Sequence, residues 1–118
     1  MNNEYIKEIN GEVYRFKFKS KRCIDLEKAT GREMLELLQD SSMSNIVRLL
    51  KAACLNDNVD EYDLLDKLME NSSLEKIMID IIYEVAAISG IITREDKERI
   101  DNVIDEDKSK ILDESKKK

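Results

Sequence analysis

The stretch YIKEINGEVYRFKF, residues 5–18, decides the fold class. Asn10 and Gly11 form the dipeptide that suits a type I′ turn, in which both central residues need positive φ. They separate two runs, 5–9 and 12–19, that suit β-strands. A two-residue loop fixes the register: Ile9 faces Glu12, Lys7 faces Tyr14 and Tyr5 faces Phe16. Tyr5, Ile9, Tyr14, Phe16 and Phe18 then share one face, and Ile6, Val13, Arg15 and Lys17 share the other. Two strands alone are marginal in water, so the aromatic face is expected to cover a helical core, unless the hairpin gains a strand from a partner.

Downstream the apolar period changes from two to 3.6. Ser20 is positioned to cap a helix over 21–30, with Cys23, Ile24 and Leu26 inward and Gly31 at its left-handed stop. Met34, Leu35, Leu37 and Leu38 form a second apolar cluster. Ser44 is expected to open a helix carrying Ile46, Val47, Leu49, Leu50, Ala53 and Cys54, and Asp60 one carrying Tyr62, Leu64, Leu65, Leu68 and Met69. Ser72 and Glu75 have capping-box spacing ahead of 74–89, which is apolar on nearly every side except the stripe Lys76, Asp80, Glu84. This is the expected central helix, ended by Gly90. Such a wide apolar circumference leaves two outcomes: neighbouring helices cover it, or part of it stays open as a docking surface. Thr93 and Asp96 begin a last helix with a thin seam of Ile100, Val103, Ile104, Ile111 and Leu112, interrupted by Asp107. That arm either docks loosely or serves a partner or self-association.

The expected fold is therefore α+β, mostly α: an N-terminal β-hairpin packed on a small helical bundle. Residues 1–92 form the hairpin and helical core, and residues 93–118 the charged C-terminal helix and tail. A chain of 118 residues supports one modest core. The absence of proline and the three glycines favour uninterrupted helices. No run approaches the length of a membrane span and no secretory signal is legible near Met1, so a cytoplasmic protein without membrane partners is expected. Cys23 and Cys54 fall among helical apolar positions and read as reduced core thiols.

The net charge of −6 is uneven. Residues 1–40 carry eight basic and eight acidic side chains, 41–92 four and nine, and 93–118 eight and nine. The acidic total argues against general nucleic-acid affinity. One basic run, Arg15, Lys17, Lys19, Lys21 and Arg22, stands out, and its first three residues project to one side of the strand. The aromatics that could stack on bases point the other way, so the strip reads as a solvated face or as a docking strip for an acidic partner.

Chemistry is sparse. Histidine is absent, which removes the commonest general base and metal ligand. There is no glycine-rich phosphate loop and no nucleophile elbow. The acidic pairs Asp60/Asp63 and Asp80/Glu84 read as surface charge. Asp105, Asp107 and Ser109 begin like a calcium loop, but Lys110 and Lys116 stand where glycine and a bidentate glutamate are required. No catalytic, cofactor or metal site is expected, and the function expected is binding. The candidate partner-binding residues are Arg15, Lys17 and Lys19 on the hairpin, with Ile100, Val103, Ile104 and Ile111 on the C-terminal seam.

The order "INGEVYRFKF" (9–18), "SKRCIDLEKATGREMLELL" (20–38) and "IMIDIIYEVAAISG" (77–90) resembles the small tail assembly chaperones of siphophages and prophages of Gram-positive bacteria. The resemblance spans residues 5–92 as a pattern of hairpin, helix ending in "LEKATG" and helical remainder. It implies a non-enzymatic protein, made in the infected bacterial cell, that keeps the tape-measure protein soluble and helps tail-tube subunits polymerise. The alternative is a small phage-encoded regulatory or adaptor protein that binds a host protein or nucleic acid through the basic hairpin.

Overall fold

Strands β1 (Tyr5–Ile9) and β2 (Glu12–Phe16) pair antiparallel in the expected register, Ile9 with Glu12, Lys7 with Tyr14 and Tyr5 with Phe16. The computed structural model describes residues 3–99. Asn10 (φ 51°) and Gly11 (φ 84°) close the turn. β2 is shorter than the 12–19 run, because opposite Lys17 the register reaches Glu4, ahead of β1. Phe18 N–H donates instead to Ser89 Oγ at 2.8 Å.

The outer edge of β2 is closed by residues 53–56. Lys17 N–H donates to Ala53 C=O (2.9 Å) and Leu55 N–H to Arg15 C=O (2.8 Å). The Asn56 side chain then continues the pairing, accepting from Arg15 N–H at 2.9 Å and donating to Val13 C=O at 2.8 Å. One amide side chain thus supplies the donor and acceptor that another strand residue would have supplied.

The helices are α1 (Ser20–Thr30), α2 (Met34–Leu37), α3 (Met43–Ala53), α4 (Glu61–Met69), and a central helix built from α5 (Leu74–Ile77), a π-helical segment (Met78–Ile82) and α6 (Tyr83–Ile88). The π-helical segment was not expected from the sequence. Asp60 caps α4 as expected, accepting from Tyr62 and Asp63 N–H. Three other starts are shifted. Ser20 lies inside α1, where Lys19 holds the cap position without a side-chain bond. Ser42 rather than Ser44 caps α3, and Ser73 rather than Ser72 caps the central helix. Each serine run offers chemically equal hydroxyls, and only the backbone turn selects one. Gly31, at φ 70°, stops α1 and donates its N–H to Glu27 C=O at 2.8 Å.

The core lies between the hairpin's aromatic face and the helices. Phe16 is fully buried, with Tyr14, Phe18 and Ile9 beside it and Tyr5 partly covered. Ile46, Leu49 and Leu50 of α3, Leu64 of α4, and Ile77, Ile82 and Val85 of the central helix close over it. Ile24, expected to face inward, is exposed, as are Leu35, Tyr62 and Met69 of the expected apolar sets. In α1 the inward residues are Cys23 and Leu26, and a step of about 100° per residue carries Ile24 off that face. The central helix, by contrast, is covered: none of its large apolar side chains is exposed.

Asn45, 1% exposed, ties α3 to the chain before it, donating to Leu37 and Asp40 C=O, each at 2.6 Å. After Gly90, Ile92 is buried, and Thr93 and Asp96 form their reciprocal cap. Arg94 reaches both oxygens of Glu84 at 2.6 Å. Residues 94–99 are helical. The seam residues Ile100, Val103, Ile104 and Ile111 lie outside the described residues, as does most of 93–118. Among the described residues no helix is long and apolar enough to cross a membrane.

Candidate functional site

The expected basic strip is present but partly neutralised. Arg15 on β2 grips Glu4 with two hydrogen bonds, 2.8 and 2.6 Å, and this pairing holds the Glu4 carboxyl below its ordinary range. Lys17 and Lys19 lie close enough to depress the same carboxyl. Arg15, Lys17 and Lys19 are therefore brought together, but around an acid from their own chain. What remains is two lysines beside the exposed apolar side chains Ile6 and Val13.

A second cluster of cations sits where the hairpin turn meets the central helix. Lys7, Lys67 and Lys76 line a cleft of about 240 Å³ with Glu8 and Asp80. Lys67 is committed: hydrogen bonds to Tyr14 Oη and Asp63 raise its pKa and hold it charged. The charges in this cleft are mixed, and its lysines and carboxylates largely offset one another.

The feature that sequence reasoning missed is a groove of about 730 Å³ between α1, α3 and the 54–59 loop. Its α1 wall presents Arg22, Leu26 and Ala29, residues three to four apart and hence on one helix face. Its α3 wall presents Arg48 and Ala52, four apart. Val59 and Leu64 complete an apolar floor, and Asn58 turns the loop with φ 58°. Alanine on both walls leaves room for large side chains entering from outside.

The groove is preformed. Arg22 Nη1 donates to Cys54 C=O at 2.5 Å, which fixes the start of α1 beside the end of α3. Asn56, bound to β2 at both ends of its amide, fixes the loop wall.

The rim is charged. Lys51 lies 3.7 Å from Glu61, and Asp25 pairs with Lys21 at 3.3 Å. Arg48 is exposed and forms no ion pair among the described residues. Cys54 lines the groove, and burial pushes its thiol up, as burial does for Cys23. Both are free thiols kept in the neutral form, which is a poor nucleophile and a poor metal ligand. Among the described residues no group of three or more carboxylates and thiols is arranged to hold a metal ion. An apolar floor, small wall residues and a polar rim suit the laying-in of an amphipathic helix. The chain matches no protein-family model, no curated protein and no solved structure.

Proposed function

We propose that the protein is a non-enzymatic tail assembly chaperone of a siphophage or prophage, acting in the cytoplasm of a Gram-positive bacterial host. In this role it holds amphipathic segments of the tape-measure protein in the α1–α3 groove until tail-tube subunits replace it. The observation that carries the reading is the preformed, apolar-floored groove, whose walls are held by Arg22 and Asn56. The sequence pattern of residues 5–92 supplies the client.

The physical task fits the geometry. A long helical client exposes apolar stripes that associate with one another, and a chaperone must cover them without binding so tightly that assembly stalls. A groove formed by two short helices and a loop engages only a few turns of client helix, which keeps each contact weak, while many copies along one client protect it collectively. Fixing the walls through Arg22 and Asn56 limits the ordering that binding requires.

Co-expression of the full chain with the tape-measure reading frame tests the reading. The expected result is a soluble tape-measure protein that co-purifies with this chain. A tape-measure protein that is equally insoluble with and without it overturns the proposal.

A further inference from the structure

We propose that the groove selects acidic amphipathic helices, with Arg48 and Arg22 as the residues that read the client's carboxylates. The inference rests on the groove being the client site and adds the chemistry of its occupant.

The argument is one of charges left over after internal pairing. Of the carboxylates at the groove, Asp25 lies 3.3 Å from the solvent-exposed Lys21, and Glu61 lies beside Lys51. Asp57, on the loop, is the remaining acid. On the helical walls, Arg48 has no carboxylate partner among the described residues, and Arg22 is held by a backbone carbonyl, which leaves its positive charge uncompensated. The two guanidinium groups belong to opposite walls. Arg48 precedes Cys54, the residue Arg22 touches, by six positions, about 9 Å along a helix axis. The two arginines are thus offset along the groove, and carboxylates on the two flanks of a docked helix meet one each.

Arginine suits this role because its planar fork pairs bidentately with a carboxylate, and the pairing strengthens where an apolar floor excludes water. The selection is local and works against the net charge of −6, which repels an acidic partner at long range. Raising the salt concentration weakens both effects, and the contact within the groove is screened less than the field of the whole chain.

The test uses the full chain and two labelled synthetic helical peptides with the same leucine stripe, one flanked by glutamates and the other by lysines. Fluorescence anisotropy is expected to show the glutamate peptide binding roughly tenfold tighter. Arg48→Glu is expected to reverse the order without changing the melting temperature, and Arg48→Gln to weaken the preference. If both peptides bind equally and compete for the groove, the inference fails while the groove remains a client site. A preference unchanged in Arg48→Glu also overturns it. If neither peptide binds, the groove is no helix site and both readings fall.

Discussion

The inner face of the hairpin and the walls of the α1–α3 groove both carry apolar side chains, yet one is sealed and the other open. Phe16 on the first is fully buried under helices, whereas Ala29 at the second is exposed. The difference lies in side-chain size. Aromatic residues on β2 reach across to α3 and the central helix and fill the space between them. Alanines on α1 and α3 stop short and leave a trough. The comparison separates two kinds of apolar residue: those whose loss unfolds the protein, and those whose alteration removes a surface while the fold stands.

The largest expected effect falls on the sealed face. Phe16→Ala removes a fully buried ring that neighbours Tyr5 and Tyr14 at centroid distances of 6.1 and 6.5 Å, and is expected to cost about 3 to 5 kcal/mol in denaturant unfolding. A loss below about 1 kcal/mol would place the ring outside the core and remove the contrast. Next comes Asn45→Ala, which strands the Leu37 and Asp40 carbonyls and is expected to cost about 1 to 3 kcal/mol.

Acid sharpens the comparison at the start of α3. Arg32 first, then Ser42, hold the Asp40 carboxyl down to about 2, below its value in the unfolded chain of roughly 3.9. A depressed carboxylate stabilises the fold fully above its unfolded pKa and loses that contribution as pH falls through the folded one. The melting temperature is therefore expected to fall between about pH 4 and pH 2, and Asp40→Asn to flatten that part of the curve. The smallest effect belongs to Arg15→Ala. The pair with Glu4 is surface-exposed on the arginine side, and its loss is expected to leave the melting temperature nearly unchanged. Client co-purification is expected to survive the substitution, since the hairpin strip is not the groove.

The hairpin was legible because its signals are local: Asn10-Gly11 dictates the turn, the turn dictates the register, and alternation dictates the buried face. Helix existence was legible from period and caps, and the caps slipped by one or two positions where serines repeat. Burial on helices was less legible. Ile24 and Leu35 are as apolar as Leu26 and Leu37, and only the angle at which α1 and α2 dock decides which of them is covered. The groove was not legible at all, since it is made of what α1, α3 and the loop fail to fill, and its loop wall depends on a contact between Asn56 and Val13, far apart in sequence. The basic strip was found, but the Glu4 that neutralises Arg15 lies across the hairpin, and charge counting did not pair them.

Ala29→Trp tests the central claim most directly. At an exposed helix position a larger side chain changes stability by only about 0.5 kcal/mol, yet an indole there occupies the groove. The measurement is client co-purification beside a thermal melt of the same protein. The predicted result is an unchanged melt with the tape-measure protein lost from the purified fraction. An unchanged melt with undiminished co-purification would show that the client binds elsewhere and contradict the account.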